Sequence, residues 1–248
     1  MERRVFNRPP IKEAVLEVLF NYLPETKIED IESFGNVLLP EFPEKGQILQ
    51  IQGQIIGGSS DSPPVSQSIF GFTYLNKSKN RMIQLRMNGF SFIVLNQTYT
   101  NWYDFKTEAY NWLYKFIDFI QPFSSPRFSL RFLNQFDITS PIHNLSDYLK
   151  IAPAVGIDIE GNMNSLFMRM EIPSSKYNSI AIVTETMNPM GVQGHSLFFD
   201  IDVIKLAPLG APFSIDLSMF EREFDILREF KNDIFFDSLT QKTAELFN

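Results

Sequence analysis

Alternation of apolar and polar residues is the first pattern the chain shows. Between Ile11 and Phe20, the residues Ala14, Leu16, Val18 and Phe20 share one side, while Glu13, Val15 and Glu17 share the other. A period of two predicts a strand, and Pro24 closes it. Thr26-Lys27-Ile28-Glu29 spells a capping box, with the hydroxyl placed for the third amide and Glu29 reaching back. Ile28, Ile31, Phe34 and Leu38 then step along one side of a helix that ends before Pro40. Gln47 to Ile56 alternates Ile and Leu with Gln and predicts a second strand, and the turn-forming residues of Gly57 to Pro64 predict a loop. Ser68 to Leu75 and Arg81 to Leu95 are strand-like, joined through Asn76 to Asn80 and folded again at the hairpin signal Asn88-Gly89. Trp102, Phe105, Ala109, Trp112, Phe116 and Ile120 recur at helical spacing. Asn101 or Thr100 can cap that helix, and Pro122 stops it.

The order then begins again. In Arg127 to Ile138, Phe128, Leu130 and Phe132 take one face of a strand and Arg127, Ser129 and Arg131 the other. Asn144 to Ile151 predicts a short helix, and Asn164 to Ile172, Asn178 to Met187 and Ser196 to Leu206 predict three strands. A long helix follows from about Leu217, with Phe220, Phe224, Leu227, Phe230 and Ile234 on its apolar stripe, and Ser238-Leu239-Thr240-Gln241 can cap a last short one. Each half reads strand, helix, three strands, helix, with the boundary at 122/123. The expected fold class is α+β: residues 1–122 and 123–248 as two pseudo-repeated halves, mostly antiparallel sheet packed against helices, joined as one unit.

Composition narrows the chemistry. With no cysteine among 248 residues, a disulfide scaffold, thiolate catalysis and Cys-ligated zinc or iron–sulfur clusters are excluded. A formal charge of −7 argues against a general nucleic-acid binder, which carries a basic domain or stripe. Every Phe-rich stretch is interrupted by charge before it reaches the length of a membrane span. Met1-Glu2-Arg3-Arg4 runs into Asn7-Arg8-Pro9-Pro10 rather than an apolar leader, so a cytoplasmic location with no membrane contact is expected. The 25 Phe are read as core filling.

Signatures of phosphate cradles, dinucleotide sites, nucleophile elbows and zinc proteases are absent from the sequence. Gly57-Gly58-Ser59-Ser60 lacks the lysine of a phosphate-binding loop. His143 and His195 are the two histidines; His195 follows a Gly turn and reads as an ordinary turn residue. Asp200 and Asp202 stand two apart and share a strand face, a pair that can hold a divalent cation but reads more simply as a solvated or salt-bridged face, as do Asp158 and Glu160. No metal and no cofactor are expected. The more informative pattern is charge recurring inside strands: Glu13 with Glu17, Arg127 with Arg131, and Arg86, Arg169 and Glu171 in others. Charges on a covered sheet face must pair, whereas on an open face they form ordinary cross-strand pairs. The candidate ligand-binding set is therefore Glu13, Glu17, Arg86, Arg131, Asn134, Arg169, Asp200 and Asp202. Tyr103, Tyr110 and Tyr114 fall off the core stripe of their helix and are candidates for a protein interface, with a homodimer as one form of it.

Pro9-Pro10-Ile11-Lys12-Glu13-Ala14-Val15-Leu16-Glu17-Val18, the aromatic helix from Trp102 to Trp112, Arg127-Phe128-Ser129-Leu130-Arg131-Phe132-Leu133-Asn134, Asp200-Ile201-Asp202 and Phe236-Asp237-Ser238-Leu239-Thr240 together resemble a sporadically distributed bacterial family of chains of similar length. That family opens on P-I-x-E-A-V-x-E and carries R-x-G-L-R-Y-x-N in its middle; Ser129 stands where it has Gly, and Gln135 where it has a basic residue. The resemblance implies no activity, cofactor or catalytic residue, and its patchy distribution implies an accessory or mobile gene system. The expectation is a non-enzymatic binding or assembly protein with a protein partner, in a defence or toxin–antitoxin-like system. The alternative is a small-molecule enzyme or sensor that clamps an anionic ligand in a groove between the halves through Arg86, Arg131 and Arg169.

Overall fold

The computed structural model describes residues 5–53, 65–139, 142, 144–153, 164–190, 194–206 and 217–248. The first half contributes strand β1 (Ile11–Asn21), helix α1 (Ile28–Leu38), strands β2 (Glu44–Gly53), β3 (Val65–Leu75), β4 (Arg81–Arg86) and β5 (Gly89–Val94), and helix α2 (Trp102–Ile120). The second contributes β6 (Ser124–Ile138), β7 (Leu166–Ser174), β8 (Ser179–Met190), β9 (Gly194–Leu206), and helices α3 (Leu217–Ser238) and α4 (Gln241–Glu245). Among the described residues the nine strands form one sheet in the order β2-β3-β4-β5-β1-β6-β9-β8-β7, and every neighbouring pair is antiparallel. The mixed α and β content with a large antiparallel sheet is the coarse architecture that the alternation predicts, but four strands rather than three lie between α1 and α2, because Arg81 to Leu95 folds back on itself as β4 and β5.

Pairing register turns the period of two into a layer. Leu16 lies across from Phe92 on one side and Leu130 on the other, and Val18 across from Phe90 and Phe128. This apolar face meets helix side chains. Phe116 of α2 reaches Phe20, Phe34 and Phe90 with ring centroids 6.2, 5.1 and 5.8 Å away, and Phe220 and Phe224 of α3 stand edge-on to Phe128 at 5.5 and 5.9 Å. Tyr110 and Phe224 link α2 to α3 at 6.2 Å, so the core is continuous across the boundary at 122/123. Each fully buried aromatic side chain contributes on the order of 1.5–3 kcal/mol from area alone, which gives the Phe-rich composition its physical use. Gly35 belongs to the same packing: a Cβ there would fall 1.8 Å from the Tyr74 hydroxyl oxygen, so α1 rests on β3 only without one.

Local signals hold at some ends and shift at others. The Asn101 side chain accepts from the Asp104 amide at 2.9 Å, and Gln121 closes α2 in the left-handed region, its N–H donating to the Ile117 carbonyl. At α4 the cap shifts from Ser238, which ends α3 and donates to the Ile234 carbonyl at 2.6 Å, to Thr240, which accepts from the Thr243 amide. At α1 the box slides by one residue. The Thr26 amide is used in a turn to Leu23, so Lys27 is the cap residue and its N–H donates to Asp30, not to Glu29, at 2.8 Å. The β4–β5 hairpin turns on Met87 and Asn88, because Gly89 already pairs with Arg86. Gly89 is needed for a different reason, since a Cβ there would meet the Val18 carbonyl of β1 at 2.5 Å. The helix expected over Asn144 to Ile151 is a single 3-10 turn, Leu145–Asp147. The segment bonds to the α3–α4 junction instead: the Lys150 amide donates to the Ser238 carbonyl at 2.7 Å, and Thr243 Oγ1 donates to the Tyr148 carbonyl at 2.6 Å. The loop of Gly57 to Pro64, His143, Asp158 and Glu160 lie outside the described residues.

Candidate functional site

The residues alternate with the core on β1, β5, β6 and β9, and at the centre of the sheet they are charged. Glu17 lies in register between Ser91 and Ser129. Its Oε2 accepts from Arg86 Nη2 at 2.6 Å and from Ser91 Oγ at 3.1 Å, and Oε1 stands 3.3 Å from Arg127 Nη1. Arg127 continues to Asp202, 3.8 Å from Nη2, and Asp202 accepts a short hydrogen bond from Ser129. One row along, Arg131 grips Asp200 with a two-pronged contact, Nε at 2.8 Å and Nη2 at 2.6 Å. Tyr22 donates to the Arg86 carbonyl at 3.0 Å and fixes the outer end of β4.

Electrostatics follow from partial burial. Burial pushes the Asp202 carboxyl up, against the Ser129 hydrogen bond and the Arg127 charge that pull it down, with Glu17 adding to the rise. Arg131 is held above its ordinary value mainly by the hydrogen bond to Asp200, with Asp202 and Glu13 adding to the field. Arg86, Arg127 and Arg131 face Glu13, Glu17, Asp200 and Asp202, which leaves one carboxylate in excess. Arginine forks suit bidentate carboxylates, and here they are matched within the chain. The side chain of Arg131 remains 45% exposed, so this end of the network meets solvent.

The structure brings together Glu13, Glu17, Arg86, Arg131, Asp200 and Asp202 from the expected set. It separates two others. Asn134 has the parity of Phe132 and Phe136, lies on the covered face, and donates to the Phe199 carbonyl at 2.9 Å. Arg169 sits on edge strand β7 and pairs with Glu171 at 3.0 Å, apart from the central network. The tyrosine expectation also divides. Tyr110 is buried, stacks on Tyr114 at 5.4 Å and points its hydroxyl at the Phe220 carbonyl, and burial raises the Tyr114 hydroxyl to about 12. These two pack inside the chain against α3, because α2 is enclosed on two sides; Tyr103 is the exposed one, at 71%.

Arg127, Ser91 and Ser129 complete the network beyond the expected set. Ser91 carried a signal, being the one polar residue of Gly89–Val94. A second polar feature lies on the covered face. Glu185 is fully buried between Val183 and Met187, both its oxygens lack a hydrogen-bond partner among the described residues, and burial raises its carboxyl to about 7. His195, at the start of β9, is buried with Nδ1 unpartnered. Among the described residues no group of three or more His, Asp or Glu converges to hold a metal ion, and no described helix is long and apolar enough to cross a membrane. Comparison of the chain with known protein families, curated proteins and solved structures returns no match.

Proposed function

We propose that this chain is a non-enzymatic binding and assembly protein that recognises a protein partner through the charged face of its sheet. The observation that carries the reading is the central network. Its arginines are already satisfied by carboxylates of the same chain, so the face offers a fixed pattern of mixed charge rather than a vacant anion clamp. Val15, Leu133 and Phe198 stand partly exposed along the same rows, and Lys12 lies 5.1 Å from the Phe198 ring centroid. Arginine beside aromatic and aliphatic surface is the composition of protein interfaces. Residues 1–122 and 123–248 act, on this reading, as pseudo-repeated halves packed as one unit: β1 and β6 are central neighbours, each flanked by the last strand of its own half, β5 or β9. The accessory, defence-like setting follows from the family resemblance.

The test is capture of the protein encoded beside this chain, using the wild type, Arg131→Gln and, as a control away from the network, Arg169→Gln. Capture by the wild type and the control, with loss in Arg131→Gln, supports the reading. Capture indifferent to Arg131, or no protein recovered at micromolar concentration, contradicts it and favours the anionic-ligand alternative.

A further inference from the structure

We infer that β2 is a self-association edge, on which two copies pair antiparallel about a twofold axis through Gln50. The inference rests on the reading of the chain as an assembly protein and names its first partner, a second copy.

Among the described residues the sheet ends in two strands with an unpaired side, β2 and β7. Exposed edges invite pairing with another chain, and proteins guard against it with charge and proline. On β7, Arg169, Glu171 and Pro173 stand in the strand itself. On β2, Gly46 to Gly53 holds neither a charge nor a proline. It instead exposes Leu49 at 46% and Ile51 at 68%, two residues apart on one face, with Ile69 of β3 directly across from Leu49 at 40%.

Topology makes the outer part of this hairpin dependent on a further strand. β4 pairs with β3 only over Gly71 to Leu75, so among the described residues positions 65–69 have β2 as their single strand neighbour. A two-stranded ribbon is marginal in water by itself. The bulge that redirects it lies on β3, where the register steps from Ile48/Gly71 to Leu49/Ile69 and skips Phe70. β2 therefore runs unbroken along its free side.

Self-complementarity selects the register. In an antiparallel pair about a twofold axis normal to the sheet, paired residues must share a face, because side chains alternate. An axis at Gln50 sets Leu49 across from the partner's Ile51, and Ile51 across from the partner's Leu49, covering the most exposed apolar side chains of the strand in two equivalent pairs. Gln50 meets its own copy on the other face, where amides can donate to each other. Such a contact is isologous and closes as a dimer. Two ribbons become one four-stranded sheet.

The absence of cysteine makes a clean test. Residues directly opposed across an antiparallel pair have Cα atoms about 4.5–5.5 Å apart, within disulfide reach. The full chain carrying Gln50→Cys is expected to form a disulfide-linked dimer on mild oxidation, while Arg169→Cys on the guarded edge stays without a cross-link. Sedimentation equilibrium of the wild type is expected to show a dimer, weakened roughly tenfold or more by Ile51→Lys, since a charge on an edge opposes pairing. Because Ile51 is exposed, that variant should keep the helical circular dichroism of the wild type, which separates loss of the dimer from loss of the fold. A monomeric wild type, or a dimer that ignores Ile51→Lys and leaves Gln50→Cys unlinked, overturns the inference. If Arg131-dependent capture survives in a monomeric protein, only the edge fails; if the dimer forms without capture, only the recognition reading fails.

Discussion

The two faces of strands β1 and β6 use the same backbone for opposite ends. Leu16, Leu130 and Phe92 form one row on the covered side, and one residue along Glu17, Ser129 and Ser91 form the next row on the charged side. On the first, shape and area decide, and any apolar residue of similar volume serves. On the second, every group depends on a named partner, since a half-buried charge left alone loses hydration without compensation. The lesson is that the covered face carries stability while the charged face fixes which strands lie together and what an outside molecule meets. Glu185 is the exception, a carboxylate placed by parity on the wrong side for its chemistry.

The largest expected effect breaks the covered face. Phe224→Ala removes a ring that touches both Phe128 and Tyr110 and should lower the unfolding free energy by about 3–5 kcal/mol, read by urea denaturation. The exception comes next. The Glu185 carboxyl, raised from 4.5 to about 7, is protonated in the folded state and ionised in the unfolded state between those values. Its contribution is therefore fully present below the lower value and is lost as pH rises through about 7. Urea midpoints measured from about pH 5 to about pH 8 should fall in the wild type by the equivalent of a few kcal/mol, and Glu185→Gln should flatten that slope.

A smaller loss is expected on the charged face. Glu17→Ala removes the carboxylate that Arg86 and Arg127 share and should cost about 1.5–3 kcal/mol, the range for hydrogen bonds to charged groups. Replacing Glu17, Arg86 and Arg127 at once with apolar residues of similar size should recover most of it, because an ion-pair cluster gains little over good packing. Thermal melts of the single and triple variants separate the two outcomes.

How far the chain could be read in advance depended on whether a signal was local. Strand parity around Glu17 and Arg131, the aromatic stripe of α2 and the cap at Asn101 are set within a few residues, and they appear where the pattern places them. Asn134 shares the parity of Phe132 and Phe136, and its covered position follows from that alternation. Tyr110 and Tyr114 fall off the apolar stripe of α2 yet pack inside the chain, because one helix can be covered on two sides and only the arrival of α3 covers the second. The 3-10 turn at Leu145–Asp147 likewise depends on Ser238 and Thr243, far along the chain. Nothing near Glu185 announces that its oxygens will lack a partner, since that is a property of the surrounding layers. The pairing of β1 with β6, which brings Glu17 to Arg127, and that of β6 with β9, which brings Arg131 to Asp200, are long-range choices that spacing alone leaves open.

Arg131→Gln tests the division between the faces most directly when its melting temperature and its capture of the partner protein are measured on the same sample. With its side chain half exposed, its ion pair should be worth no more than about 1 kcal/mol to folding. The melting temperature should stay within a few degrees of wild type while capture is lost. Capture at wild-type strength, or stability and capture falling together by a large amount, would contradict the assignment of recognition to the charged face.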